Sequence, residues 1–149
     1  MKLKSPYLSA RFDEIEAAFV KSEGWGTKTP ELGAYLAGYL VVMVCGVFED
    51  CIEYLVAQRA DRTADNQLAS FIKWSISRTF SNPDDGKIAG ILAAFSPEYK
   101  AIYRERIPAD GPVALALNSI SSNKNDLAHG NLSKMNVTVS DVKDYFQRA

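Results

Sequence analysis

The 149-residue chain has little of the residue types that bind metals or act as nucleophiles. It contains one histidine, His129, and two cysteines, Cys45 and Cys51. No second histidine and no cysteine or carboxylate pair stands at ligand spacing, which argues against a zinc site. No glycine-flanked serine forms a nucleophile elbow, so a serine triad is unsupported. We therefore expect neither a metal ion nor an organic cofactor.

The chain also lacks an excess of charge of either sign. Its 17 basic and 18 acidic residues give a net charge of −1 and an isoelectric point near 5.8. This balance argues against a strongly basic coat for nucleic acid, but a local basic cleft stays compatible with it because binding depends on how charge is distributed. The first twenty residues are charged throughout and lack the apolar core of a secretory signal. We expect a cytoplasmic protein.

The two cysteines lie six residues apart in one apolar segment. On a helix this spacing corresponds to about 9 Å along the axis, which is too far for a disulfide. The sequence therefore predicts two buried, reduced thiols.

A long uncharged run covers residues 32–48, "LGAYLAGYLVVMVCGVF". Seventeen residues reach only the lower limit of a bilayer span, and the run contains three glycines. It continues directly into the amphipathic "EDCIEYL", so we interpret it as part of a buried helix and expect no membrane association. A helix that is apolar on nearly every side must be covered by several neighbours or by a second subunit.

Helical periodicity dominates the rest of the chain. The "EGWGTKTP" stretch at 23–30 breaks it with two glycines and a proline. The second, third and fourth predicted helices each carry an apolar stripe that we predict to face inward. These stripes are Phe48, Cys51, Ile52 and Leu55 in the second helix, Leu68, Phe71, Ile72 and Ile76 in the third, and Ile88, Ile91, Leu92 and Phe95 in the fourth. Six of the predicted helices cover about residues 5–23, 30–60, 65–80, 97–107, 112–127 and 140–148. The remaining one, fourth in chain order, is predicted to be capped by Asn82, and its apolar stripe ends at Phe95.

The pattern predicts the fold class. No internal repeat, low-complexity tract or convincing strand alternation occurs, although "NVTVS" at 136–140 could form a brief extended piece. We predict one all-α domain over residues 1–149, a bundle of six or seven helices packed around the long second helix.

The sixth predicted helix ends with a cation, an amide and an imidazole. Asn125 and His129 are four residues apart and share a helical face, Lys124 is one residue earlier, and Gly130 is a natural terminator. An imidazole can move the proton of a ribose 2′-hydroxyl, and a nearby cation can stabilise a phosphate. A lone histidine at a helix end is, however, more often a capping or surface group. A cysteine–histidine nucleophile is disfavoured because both cysteines lie in apolar sequence.

The segment "KNDLAHG", residues 124–130, resembles the signature of HEPN domains, which often reads "RNxxAHG". Two further stretches agree with it. Residues 39–55, "YLVVMVCGVFEDCIEYL", resemble the long second helix of RiboL-PSP and MAE-type HEPN proteins, and residues 137–146, "VTVSDVKDYF", resemble their closing helix. The resemblance spans about residues 30–147.

This resemblance implies a helical bundle that usually dimerises. Many such domains are metal-independent endoribonucleases of toxin–antitoxin, abortive-infection or other phage-defence systems, with the paired motifs meeting at the dimer interface. On this chain His129 would be the general acid or base, and Asn125 would orient the imidazole or the phosphate. An acidic residue of the second helix, Glu49 first or Glu53 second, would hold the basic partner. RNA and an antitoxin-like protein are the implied partners.

The sequence departs from the signature at Lys124, where the family pattern has arginine. Lysine keeps the charge but loses the planar fork that binds phosphate through two parallel hydrogen bonds. Either Lys124 acts as a weaker point charge, or catalysis is lost and the domain only binds and dimerises. Arg59, Arg62 and Arg78 could supply a guanidinium from elsewhere.

Three hypotheses therefore remain from the sequence. They are a homodimeric ribonuclease, a non-catalytic dimer that binds RNA, a nucleotide or a protein, and a helical dimer whose motif residues only cap the sixth helix. All three place the apolar surface of residues 32–48 at an interface, which would bury roughly 2,000 Å² or more if the dimer is obligate.

Overall fold

The computed structural model describes residues 5–26, 29–130 and 136–149. Residues 27–28, which belong to the predicted break between the first two helices, lie outside this range. The described residues form seven α-helices and no strand, so the predicted all-α bundle is confirmed. The helices are α1 (Pro6–Gly26), α2 (Pro30–Ala60), α3 (Asn66–Thr79), α4 (Asp85–Phe95), α5 (Pro97–Arg106), α6 (Pro112–Ala128) and α7 (Val139–Arg148).

Local capping signals set most helix starts. The Thr29 side chain accepts a hydrogen bond from the Leu32 backbone N–H, with Pro30 opening α2, and Ser96 caps α5 ahead of a proline in the same way. The predicted cap of α4 is wrong. Asp84, not Asn82, is its N-cap, because the Asp84 carboxylate accepts from the backbone N–H of Lys87.

The long helix α2 lies at the centre of the core. Its own neighbours α1, α3, α6 and α7 pack around it. Within one chain, eight of the seventeen residues of the run 32–48 are buried and six are half-buried. The expectation that a second subunit must cover the run therefore applies only to the three exposed residues. That remainder is one stripe, Tyr35, Tyr39 and Val42, whose residues are between 48 and 64% exposed. No helix of the described residues is long and apolar enough to cross a membrane.

The last helix closes the core through an aromatic cluster. The ring of Phe146 lies 5.2 Å from Phe12, 5.7 Å from Phe19 and 6.0 Å from Phe48, measured between centroids. A capping box between Thr138 and Asp141 starts α7. Of the extended piece predicted at 136–140, Thr138 is extended as the N-cap, whereas Val139 and Ser140 already belong to α7, so the piece does not form a strand.

Three predicted inward stripes are only partly covered. Leu55 of α2 is 53% exposed, Phe71 of α3 is 61% exposed, and Leu68 and Phe95 are exposed as well. Helix α3 packs on α2, whereas α4 packs on α5 and α6, so an apolar groove is left between α3 and α4. Periodicity identified these faces as apolar correctly, but no element among the described residues fully covers them.

Candidate functional site

One carboxylate oxygen on α2 gathers donors from two distant segments. Glu49 Oε1 accepts a hydrogen bond from the Lys124 ammonium of α6 at 2.8 Å and from the Asn82 backbone N–H at 2.6 Å. These residues are 75 and 33 positions from Glu49 in sequence. The contact joins α2, the α3–α4 connection and α6 at a single point.

The Lys124–Glu49 pair is partly shielded from water. Their side chains are 24% and 21% exposed. Burial disfavours the ammonium of Lys124, but the hydrogen bond and charge of Glu49, together with Cys45, outweigh it and raise the pKa of Lys124 above its ordinary value. Lys124 is therefore charged at neutral pH, and its ammonium is oriented toward Glu49.

Asn82 connects Glu49 of α2 with Asn125 of α6, and the sequence analysis did not identify it as a site residue. Besides its backbone bond to Glu49, its side-chain amide donates to Asn125 Oδ1 at 2.6 Å. Its φ of 53° lies in the left-handed region, which asparagine tolerates better than other residues with a side chain. Asparagine at this turn thus fits both the backbone conformation and the two hydrogen bonds. An asparagine before proline signalled only a turn or cap.

His129 lies at the end of this network. It is the C-cap of α6, and its backbone N–H donates to the carbonyl of Asn125, with Gly130 following at φ 72°. The His129 side chain is exposed to solvent. His129 follows Asn125 by one turn, so the two residues lie at the same end of α6.

Cys45 lies beneath the network, one turn before Glu49 on α2. Its sulfur is 4.0 Å from Glu49 Oε1 and 4.0 Å from Asn82 Oδ1. Burial raises the pKa of the Cys45 thiol to about 11, which outweighs the opposing effect of Lys124. The group is a neutral thiol at physiological pH, which disfavours a cysteine nucleophile here.

Both thiols are expected to be unreactive in the folded protein. Cys45 and Cys51 are free and buried, and burial raises each pKa to about 11. With a chromogenic disulfide at pH 8 we expect no rapid colour from native protein and two equivalents of thiol in guanidinium chloride, since the thiolate is the reactive form. Fast reaction of one equivalent in the native state would contradict the buried placement.

The remaining predicted residues lie elsewhere. Glu53 lies one turn after Glu49 on α2 and lines a cleft with Asp50 and Tyr54. Arg59 lines the apolar groove, and Arg78 lies over the Trp74 ring at 5.4 Å. No hydrogen bond connects these residues or Arg62 to the network within the described ranges, and no group of three His, Cys, Asp or Glu suited to a metal ion occurs there either.

Comparison with protein families identifies the chain. The family model RiboL-PSP-HEPN matches residues 7–149, essentially the whole sequence. The chain belongs to the RiboL-PSP-HEPN family. Comparison with curated proteins and with solved structures gave no match.

Membership supports the general function and leaves the residues' roles open. It supports a HEPN-type nuclease or RNA-related function, and HEPN domains commonly dimerise. The catalytic roles assigned to His129, Lys124, Asn125 and Glu49 stay predictions.

Proposed function

We propose that this HEPN protein is a metal-independent endoribonuclease of a defence or toxin–antitoxin system. The observation that carries the proposal is the network in which Glu49 and Asn82 hold Lys124 and Asn125 at the end of α6 that carries the exposed His129. An oriented cation and an accessible imidazole at the same helix end are the two groups that phosphodiester transfer without a metal requires.

The proposed step is a transesterification within RNA. His129, acting as a base, takes the proton of a ribose 2′-hydroxyl, and the 2′-oxygen attacks the adjacent phosphorus. The bond from phosphorus to the 5′-oxygen breaks, and a second group, acting as a general acid, protonates that oxygen. The products are a 2′,3′-cyclic phosphate and a 5′-hydroxyl end. Lys124 stabilises the charge that develops on the phosphate oxygens.

The test uses the substrate to establish attack by the 2′-hydroxyl and a variant purified in parallel to exclude contamination. Purified protein with EDTA is incubated with a single-stranded and a structured RNA, each also prepared with 2′-O-methyl groups. We expect cleavage of the unmodified RNAs only, with cyclic-phosphate ends. Cleavage of methylated RNA, or equal cleavage by His129→Ala protein purified in parallel, would rule out the proposal.

One observation favours a second candidate, a dimer that binds RNA, a nucleotide or a protein partner such as an antitoxin without cleaving. The first two residues of the motif already have partners inside the chain, Lys124 with Glu49 and Asn125 with Asn82. In that case RNA or partner binding persists in His129→Ala, and neither protein yields fragments.

Changing Lys124 to arginine is expected to raise the cleavage rate several-fold, up to roughly tenfold. A guanidinium has five N–H donors, so it can keep its bond to Glu49 and still present a fork to phosphate. Initial rates on one RNA would be compared with those of Lys21→Arg, the same change at an exposed position of α1. An unchanged or lower rate would show that the missing fork is not what limits the enzyme.

We propose that two copies associate along the exposed stripe of α2. Tyr35, Tyr39, Val42, Gly46 and Glu49 recur at helical spacing on one face, so the stripe runs directly into the candidate site. A β-carbon added at Gly46 would meet no atom within 4 Å, so this position leaves space for a second helix to approach closely. Such packing would place two copies of the His129 region near one interface, and the second imidazole could act as the acid.

Gly46→Leu is therefore expected to weaken self-association at least tenfold. The leucine would fill the space that a second helix needs, while within one chain its β-carbon meets no atom within 4 Å. Gly90→Leu is the matched control, because Gly90 is also a helical glycine with open space but lies on α4. Light scattering over a dilution series would measure both variants, and equal molar masses for the two would argue against this interface.

A further inference from the structure

The groove between α3 and α4 is a second surface, apart from the candidate site and the α2 stripe. It consists of two adjoining clefts of about 170 and 360 Å³ that share Val56, Ile91 and Phe95. The floor is the second half of α2, and the walls are α3 on one side and α4 with the start of α5 on the other. We call it the α3–α4 groove.

Its chemistry is aliphatic and aromatic with very few polar groups. Leu55, Phe71, Phe95 and Tyr99 all line it and are all exposed. Contiguous exposed apolar surface of this kind marks an interaction site rather than scattered surface residues. Nucleic acid would need cations and hydrogen-bond donors along the whole groove, so the lining favours a protein segment with an apolar face.

The shape selects a helix as the occupant. One mode of peptide binding adds a strand to the edge of a sheet, and the described part of this chain offers no strand for it. The walls, in contrast, are helices of 14 and 11 residues. They provide a length of about 16–21 Å, which accommodates three turns of a partner helix with apolar residues at every third or fourth position.

The charges at the groove are positive. Among the described residues that line the two clefts, the only charged one is Arg59. On α3, Arg78 continues the face of Phe71 and Ser75 and lies over the exposed ring of Trp74. On α5, Glu98 precedes Tyr99 in sequence but does not line either cleft. Asp61, which directly follows α2, already forms an ion pair with Lys73 of α3.

We infer that the α3–α4 groove binds an amphipathic helix of a partner protein, with acidic residues flanking its apolar stripe. The apolar stripe fills the two clefts, and the flanking carboxylates pair with Arg59 and Arg78. Ile52 and Val56 of the floor share a helical face with Glu49, so the bound helix would lie one to two turns from the candidate site. Docking itself does not depend on the proposed nuclease activity.

The experiment uses a pair of synthetic peptides and the full chain. One is a hydrocarbon-stapled helical 14-residue peptide with leucines at helical spacing and glutamate elsewhere, and its twin carries lysine in place of glutamate. Fluorescence anisotropy measures binding of each. We expect the acidic peptide to bind at least tenfold more tightly than its twin. Phe71→Glu and Leu55→Glu should weaken it at least tenfold, and both positions are exposed, so folding is preserved.

Two controls locate the effect. Val20→Glu puts the same change on an exposed residue of α1 and should alter affinity less than twofold. The double variant Arg59→Glu, Arg78→Glu should reverse the preference and favour the lysine twin. Circular dichroism verifies that each variant is folded.

Several results would overturn the inference. They are no binding of either peptide, equal binding of both twins, or binding that Phe71→Glu leaves unchanged. The groove would instead belong to a second copy if Phe71→Glu converted a dimer to a monomer, and to RNA if Phe71→Glu weakened RNA binding while the peptides did not bind. Loss of RNA cleavage in any form of the protein would leave the peptide result standing, so the two proposals fail separately.

Discussion

Replacing His129 with alanine is expected to slow RNA cleavage by about 10²–10⁴-fold, the usual contribution of a positioned general acid or base. His129 is the only imidazole in the chain, so no neighbouring residue can replace it. Initial rates with EDTA present would be measured for wild type and variant. Free imidazole added to the variant should restore part of the rate, because the cavity left at an exposed position is open to buffer.

Stability provides the control for this prediction. The His129 side chain is exposed, so the free energy of unfolding should change by no more than about 0.5 kcal/mol. If the motif residues only cap α6, the results would be different. Asn125→Ala would then lower the melting temperature, since it loses the bond to Asn82, and neither Asn125→Ala nor His129→Ala would affect cleavage or binding.

Replacing Glu49 with leucine is expected to cost about 2 kcal/mol of stability and most of the cleavage activity. The change leaves the Lys124 ammonium and the Asn82 backbone N–H without their shared acceptor. Full burial would make the loss larger, at about 3–5 kcal/mol, but the pair is about a fifth to a quarter exposed and water compensates in part. For a chain of this size, 2 kcal/mol lowers the melting temperature by about 4–8 °C.

Glu53→Leu is the matched control, one turn along the same helix and outside the Lys124 contact. It should leave both stability and cleavage nearly unchanged. Glu49→Leu should also cost less in a Lys124→Met background, as a double-mutant cycle would show. Equal effects of Glu49→Leu and Glu53→Leu would remove Glu49 from the candidate site.

The alkaline dependence of this stability difference follows from Lys124. Its pKa is raised in the folded state, so the stabilisation by the pair is fully present below the ordinary lysine value of 10.5 and is lost as the pH rises through the raised folded value. The difference between wild type and Glu49→Leu should therefore be constant from pH 7 to 9 and shrink only above about 10.5. Urea titrations at fixed pH would measure it.

Local sequence rules accounted for the helices and for the family. Thr29 with Pro30, and Ser96 with Pro97, start their helices because capping depends on residues three positions apart at most. The HEPN signature is likewise a local string, residues 124–130, and the family match confirms the resemblance. Such short-range features are present in the chain before it folds.

The candidate site depends on long-range contacts that local sequence rules do not predict. Asn82 was predicted to cap α4, yet it connects Glu49 with Asn125, residues that lie 33 and 43 positions away from it. Nothing near Asn82 in sequence indicates those partners. The choice between Glu49 and Glu53 was open for the same reason, since helical spacing gives a residue's face but not the neighbour that faces it.

The sequence by itself determined the helical class, most helix starts and the motif that carries the imidazole, because each depends on contacts within a turn or on a contiguous string. Only the tertiary structure decided which glutamate meets Lys124, that Asn82 belongs to the network, and that Leu55 and Phe71 line an open groove. Apolar periodicity defines a face that can be buried, but its burial depends on how distant helices pack, and here α3 and α4 pack on different neighbours.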